Sequence, residues 1–224
     1  MSETPSHGPE TAMLAGGALS APAPEATPFA TAELRALVRS PSRALDIVLG
    51  ERQRLAASIA EGSAPYALVA ILAACTVLAS LPYGLVRGWS FTFRIAAFYG
   101  GSVLLCWPSL QVFGAYLGSS LRPLQNLALA LLIASVAALF TLGFAPIVWF
   151  LQATMADGDW IDADVAYVVL LALGLLAGLG QLGRCVASTK KLRPLRSSWL
   201  LLGGWQMLVV FVAWRMARAL DLLG

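Results

Sequence analysis

The chain has 224 residues, of which 58% are hydrophobic and 12% charged, and its mean hydropathy is +0.76. A soluble domain of this size exposes too much surface to hide that many apolar side chains, so the composition excludes a soluble globular protein and indicates one embedded in a lipid bilayer. The net charge of +3 does not indicate nucleic-acid binding, because the basic residues stand at the ends of apolar runs, as membrane anchors do.

Residues 1–30 are rich in Pro, Ala, Gly, Ser, Thr and Glu, which predicts a disordered tail. They lack the basic start and the continuous apolar segment of a signal peptide. This tail holds His7, the only histidine of the chain. Haem ligation, histidine-bound zinc and Ser–His hydrolysis all need an imidazole in or beside the bilayer, so the sequence argues against these three chemistries.

Residues 31–62 are predicted to form a cytoplasmic amphipathic helical segment. Ser40-Pro41 interrupts it, and Pro41 fits the first turn of a new helix over residues 42–60. The apolar face of that helix holds Leu45, Val48, Leu49, Leu55, Ala56 and Ile59. Its polar face holds Arg43, Asp46, Glu51, Arg54 and Glu61. Such a helix either lies in the plane of the lipid headgroups or packs on the cytoplasmic ends of the spans, and the two interpretations are compatible.

Residues 63–224 are predicted to form a five-span transmembrane domain, which makes the fold an all-α polytopic helix bundle. A spanning helix needs about 20 apolar residues. Five runs meet this length: 66–87, 95–118, 124–153, 165–187 and 199–219. We expect Pro82 and Pro108 to bend the first two helices. The third run has 30 residues, so we expect its helix to be tilted, to be kinked at Pro146 or to leave the bilayer early.

The basic residues predict the orientation of these spans. With a cytoplasmic N-terminus, eleven Lys and Arg residues fall on the cytoplasmic side and four on the other side; this asymmetry predicts a cytoplasmic N-terminus and an external C-terminus. Tryptophans near the predicted interfaces are Trp89, Trp149, Trp160, Trp199 and Trp214. Arg outnumbers Lys 13 to 2, which is typical of a GC-rich bacterial genome and favours a bacterial inner membrane.

Glycines recur at helical spacing within the spans. They form two GxxxG motifs with a short extension of the second: Gly114, Gly118, Gly174, Gly178, Gly180 and Gly183. Small residues let helix backbones approach closely in lipid. The motifs therefore indicate packing within the bundle or, as the alternative, a face for a homo-oligomer.

Three glutamines, Gln111, Gln181 and Gln206, lie well away from the ends of the predicted spans. They need hydrogen-bond partners in hydrocarbon, so we expect them to face the bundle interior. No Asp, Glu or Lys lies at the centre of a predicted span, which argues against an ion-coupled pump. A small transporter or permease subunit would need a midplane cavity lined by these three glutamines.

The loop between the third and fourth predicted spans contains four aspartates: Asp157, Asp159, Asp162 and Asp164. The spacing does not fit an EF-hand, because Ile161 occupies the third acidic position. We interpret this segment as an acidic loop outside the membrane, in which Asp162 or Asp164 also caps the fourth span. Binding of a divalent cation by residues 157–164 is the alternative.

Cys75, Cys106 and Cys185 lie far apart, each in or beside an apolar run. This placement predicts small buried side chains rather than a disulfide framework or a metal site. Nucleophile–base pairs are also lacking. The sequence therefore predicts no enzymatic activity, no catalytic residue, no metal and no cofactor, and an enzyme acting on lipid is only the third hypothesis.

The order of these features resembles the Yip1 domain family, especially its bacterial members, over residues 34–220. The features are Ser40-Pro41 ahead of the spans, Leu81-Pro82-Tyr83-Gly84 at the end of the first span and Phe144-Ala145-Pro146 in the third. The resemblance implies five spans with a cytoplasmic N-terminus. The chain lacks the acidic residue of the family's Asp-Leu-Tyr-Gly-Pro motif, so the binding of small GTPases known for eukaryotic members is not carried over.

We therefore interpret the protein as a non-enzymatic, Yip1-like scaffold that organises membrane or binds protein or lipid partners. The transporter or permease subunit described above is the alternative. The expected surroundings are the lipid bilayer, with membrane-protein partners or further copies of the chain and without nucleic acid. The expected location is the bacterial inner membrane.

Overall fold

The computed structural model describes residues 27–38, 40–116, 118–154, 163–188 and 199–222. In these ranges the chain forms helices and no strands, which confirms the all-α fold. The helices are α1 Thr31–Val38, α2 Pro41–Gly50, α3 Arg52–Glu61, α4 Pro65–Leu85, α5 Trp89–Tyr116, α6 Pro123–Thr154, α7 Ala163–Ser188 and α8 Trp199–Ala219.

Several sequence predictions concern segments outside the described residues. They include most of the predicted disordered tail with His7, the acidic loop from Asp157 to Asp162, and the basic run at residues 190–196. Asp164 lies within α7, but its side chain is outside the description, as is that of Trp199 in α8.

The five helices α4 to α8 are long and apolar enough to cross a membrane, so the chain is a multi-pass membrane protein. Pro82, Pro108 and Pro146 all lie inside continuous helices. The second helix begins at Trp89 rather than at the predicted residue 95, and Arg94 therefore lies within it. With 32 residues, α6 is about 48 Å long, which exceeds the roughly 30 Å of bilayer hydrocarbon.

The core is centred on α6. In its most apolar stretch 67% of residues are buried, against 22% in α8. Helices α4, α5 and α7 all pack on α6, whereas α8 packs on α5 at the edge of the bundle. In lipid, a helix with so little burial presents most of its apolar side chains to the acyl chains.

The three short helices α1 to α3 form a layer against α4 and α6. The expected helix over residues 42–60 is divided at Glu51, which separates α2 from α3. The apolar side chains of Val48, Leu55 and Ile59 are each 1% exposed, whereas Leu49 is 59% exposed. Most of the predicted apolar face is thus buried against protein, as the packing interpretation expects, and only Leu49 is free to meet lipid.

The segment before α1 is held by α3. Phe29 is 2% exposed, and its backbone N–H donates to the Ser58 hydroxyl at 2.8 Å. The Arg54 guanidinium lies 4.2 Å from the centre of the Phe29 ring and donates to the Thr27 carbonyl at 3.1 Å. Arg54 also pairs with Glu51. These contacts order residues that the sequence assigns to the end of the tail.

One side chain joins the end of α3 to the start of α6. Gly62 ends α3 in the left-handed region at φ +76°, where glycine carries no steric penalty. The Gln125 amide donates to the carbonyls of Ile59 at 2.9 Å and of Ala60 at 3.2 Å. These two carbonyls belong to the last turn of α3, where helical donors run out; the Ile59 carbonyl also accepts from the Gly62 N–H at 3.2 Å. Gln125 therefore caps α3 and fixes the layer to the bundle.

Candidate functional site

The three span glutamines do not share a partner. Each bonds to a different neighbour: Gln111 accepts from Asn126 at 2.5 Å, Gln181 donates to the Cys185 sulfur at 3.8 Å, and Gln206 donates to the Leu179 carbonyl at 3.4 Å. A cavity of about 40 Å³ lies instead between α1, α2 and α4, with an apolar lining. It is lined by Leu37, Ala44, Ala70, Ile71, Ala74, Cys75 and Leu78, and by none of the glutamines.

Three tyrosines from three different helices meet inside the bundle. Tyr83 of α4, Tyr99 of α5 and Tyr167 of α7 are each 0% exposed. The rings of Tyr83 and Tyr167 stack with centroids 4.6 Å apart, and the Tyr83 hydroxyl donates to the Tyr167 carbonyl at 2.6 Å. The Tyr99 hydroxyl donates to the Leu171 carbonyl at 3.2 Å. This tyrosine cluster connects α7 to α4 and α5.

Glycines let the helices of this cluster come together. A Cβ on Gly84 would lie 2.4 Å from the Thr92 Cα, a distance that no side chain tolerates. A Cβ on Gly174 would lie 2.9 Å from the Tyr99 hydroxyl and 2.5 Å from the Thr141 methyl. Gly174 leaves room for the Tyr99 hydroxyl beside α7, and Gly84 lets α4 and α5 approach closely.

The predicted packing role of Gly174 and Gly178 is confirmed. A Cβ on Gly178 would lie 2.5 Å from the Ile133 carbonyl of α6. Two further glycines of the GxxxG motifs and their extension behave differently. A Cβ on Gly180 would meet nothing within 4 Å, and Gly118 lies at φ +73° just after α5. Gly118 therefore ends a helix, and its predicted use in close helix packing is wrong.

Charged and aromatic side chains extend the tyrosine cluster toward the end of α8. The Arg87 guanidinium lies 4.8 Å from the ring centres of both Tyr167 and Phe91, and Arg94 lies 4.9 Å from that of Phe91. Arg94 also donates to the Leu220 carbonyl at 3.1 Å. Stacking on rings suits the weakly hydrated guanidinium group, which explains how Arg94 is accommodated inside α5.

Trp205 attaches the peripheral helix α8 to α5. It is 1% exposed, and its indole N–H donates to the Cys106 carbonyl at 3.2 Å and the Ser109 hydroxyl at 3.1 Å. Both acceptors flank Pro108, which cannot donate to the helix itself. Sequence reasoning missed Trp205, because it considered only the five tryptophans near the predicted membrane interfaces.

The predicted interfacial tryptophans that the structure describes are exposed. Trp89 is 66%, Trp149 63% and Trp214 49% exposed. The three cysteines are buried, as predicted, and are not joined in disulfides. Among the described residues, no group of three or more His, Cys, Asp or Glu side chains is placed to hold a metal ion.

No protein-family model, curated protein or solved structure matches this chain. The tyrosine cluster and its surroundings consist of neutral hydroxyls, stacked rings and two arginines. Such groups hold helices together and bind through hydrogen bonds. They do not constitute a nucleophile with an adjacent base.

Proposed function

We propose that this protein is a non-enzymatic, Yip1-like membrane protein that organises membrane or binds protein or lipid partners. The observation that carries the proposal is that Gln111, Gln181 and Gln206 each bond to a different neighbour. A transporter with a midplane polar cavity would need these side chains to face one space. Here each glutamine side chain instead makes a hydrogen bond to a group on a helix of the bundle, as expected for side chains that hold a scaffold together.

The proposed setting is the bacterial inner membrane with a cytoplasmic N-terminus. The asymmetry of eleven against four basic residues supports this orientation. In this orientation the layer α1 to α3 lies on the cytoplasmic side. The arginines Arg87 and Arg94 then lie near the outer surface, at the end of the bundle where α8 also finishes.

The surface proposed for partners is the outer face of α8. Only 22% of its most apolar stretch is buried, and Met207 and Phe211 are 74% and 61% exposed. Because Trp205 fixes α8 to α5 on the opposite face, this surface is presented in a defined orientation. Where no protein is bound, lipid covers this face of α8. The proposed occupant is a membrane-protein partner or a second copy of the chain.

Aqueous accessibility tests the scaffold against the transporter. In a variant with Cys75, Cys106 and Cys185 replaced by Ala, Gln181→Cys and Gln206→Cys are each treated with a charged, membrane-impermeant thiol reagent from both membrane sides. We expect neither to react, whereas Ser120→Cys, which is exposed in the α5–α6 connection, reacts readily. Reaction at Gln181→Cys and Gln206→Cys would favour the transporter and contradict the scaffold.

Photo-crosslinking tests the proposed partner surface. A photoreactive phenylalanine analogue is placed at Phe211, and at Val209 as the control because Val209 is 0% exposed. We expect discrete protein adducts from native membranes at Phe211 and none at Val209. Adducts with lipid alone at Phe211 would contradict partner binding through α8.

A further inference from the structure

Three buried hydroxyl groups have no hydrogen-bond partner among the described residues. They are Thr92 Oγ1 and Ser102 Oγ on α5 and Tyr167 Oη on α7. Each of these residues is 0% exposed. An unpaired hydroxyl is unfavourable in any protein interior and more so in a bilayer, where bulk water is absent. Buried polar groups of this kind are usually satisfied by ordered water.

Two of the three residues, Tyr167 and Thr92, lie against the same short stretch of α4. The Tyr83 hydroxyl reaches the main chain of Tyr167 while the two rings stack at 4.6 Å, so the rings lie head to tail. The Tyr167 hydroxyl must then point back toward the main chain of Tyr83. The next residue, Gly84, lies against Thr92, whose hydroxyl is 3.1 Å from the position of a Gly84 Cβ.

We propose that one buried water molecule bridges Tyr167 Oη and Thr92 Oγ1 beside Tyr83 and Gly84. Both groups are neutral and both donate and accept, which matches water. The contact between Gly84 and Thr92 is too close to admit a larger solute. The Gly84 carbonyl at the end of α4 accepts from the Arg87 N–H at 3.1 Å; a carbonyl oxygen has a second lone pair, which supplies a further acceptor for the water.

This bridge extends the tyrosine cluster and has a structural consequence. Tyr83 already joins α4 to α7 directly through the Tyr167 carbonyl. The water adds α5 to that junction through Thr92. The outer ends of α4, α5 and α7 are then held at one point, independently of whether the protein is a scaffold or a transporter.

A double-mutant cycle tests the bridge. Tyr167→Phe and Thr92→Val remove one hydroxyl each with little change in shape, and thermal unfolding is followed in detergent. A bridging water predicts that each single change lowers Tm and that the double variant loses little more than either single variant, because both act on one water. Additive effects, or single changes that leave Tm unchanged or raise it, would overturn the proposal.

Radiolytic hydroxyl labelling of the unmodified protein decides the question even if a variant fails to fold. Ordered water next to a buried ring is a local source of hydroxyl radicals, so Tyr167 should be oxidised although it is 0% exposed. Tyr99 is the matched control, since it is equally buried but bonded to the Leu171 carbonyl. Labelling of Tyr167 no greater than that of Tyr99 would overturn the bridge.

Discussion

The hydroxyl of Tyr83 donates to the main-chain carbonyl of Tyr167 at 2.6 Å, across 84 residues of sequence and between two membrane-spanning helices. The same two rings stack with an interplanar angle of 23°. A hydrogen bond and a ring contact therefore act at a single junction between α4 and α7.

Loss of the Tyr83 hydroxyl should weaken this junction. Tyr83→Phe keeps the ring stacking and removes one hydrogen bond, which we expect to lower stability by about 1 kcal/mol and Tm by about 2–4 °C. Thermal unfolding in detergent measures the change. Tyr116→Phe is the control, because Tyr116 is 84% exposed. Equal Tm values for the two variants would show that the Tyr83 bond contributes nothing.

The glycine face of α7 should be intolerant of even one methyl group. In Gly178→Ala the new Cβ would lie 2.5 Å from the Ile133 carbonyl, so the helices must separate, at about 1–3 kcal/mol. Gly180→Ala places its methyl in open space and should be neutral or slightly stabilising, because Ala favours helix over Gly. Comparable melting temperatures for the two variants would contradict the assigned packing face.

Trp205 should control the attachment of α8. Trp205→Phe removes the donor to the Cys106 carbonyl and the Ser109 hydroxyl, which we expect to lower stability by about 1–3 kcal/mol. Hydrogen exchange of α8 should increase more than that of α6. Trp214→Phe, at a residue 49% exposed, should leave exchange unchanged. Unaltered exchange in Trp205→Phe would mean that α8 is held by other contacts.

Hydropathy in the sequence is sufficient to predict the five spans, because crossing a bilayer requires long apolar runs. The packing of Gly174 and Gly178 was also predictable, since small residues at helical spacing permit close approach. The tyrosine cluster and Trp205 were not. In a span both the lipid-facing and the protein-facing sides are apolar, so no polar periodicity reveals which way Tyr99 or Trp205 points.

The break between α2 and α3 was hidden for a related reason. The apolar spacing continues across Glu51, so periodicity alone predicts one helix over residues 42–60. The structure instead ends α2 at Gly50 and begins α3 at Arg52, and Val48 and Leu55 on the two sides of this break are both buried. Tyr83 lies in the Leu81-Pro82-Tyr83-Gly84 segment that carried the family resemblance, and that segment was the one available signal for the cluster.

Neighbouring residues of α2 separate the packing role of the layer from contact with lipid. Val48→Asp places a charge at a site 1% exposed and should destabilise the fold strongly, whereas Leu49→Asp, at a site 59% exposed, should not. A spin label on Leu49→Cys, in a background without other cysteines, should be accessible to oxygen in anionic vesicles if this side chain meets lipid. If the spin label were accessible only to a water-soluble relaxation agent, Leu49 would not contact lipid and α2 would have only its packing role.

The central claim is a five-span protein with its N-terminus inside, and cysteine labelling in intact cells tests it most directly. In the variant without native cysteines, Gly158→Cys lies in the acidic loop after α6, and Ser188→Cys lies at the end of α7. A membrane-impermeant thiol reagent should label Gly158→Cys in intact cells and Ser188→Cys only after the membrane is opened. The reverse pattern, or labelling of both in intact cells, would contradict the topology and the family resemblance that depends on it.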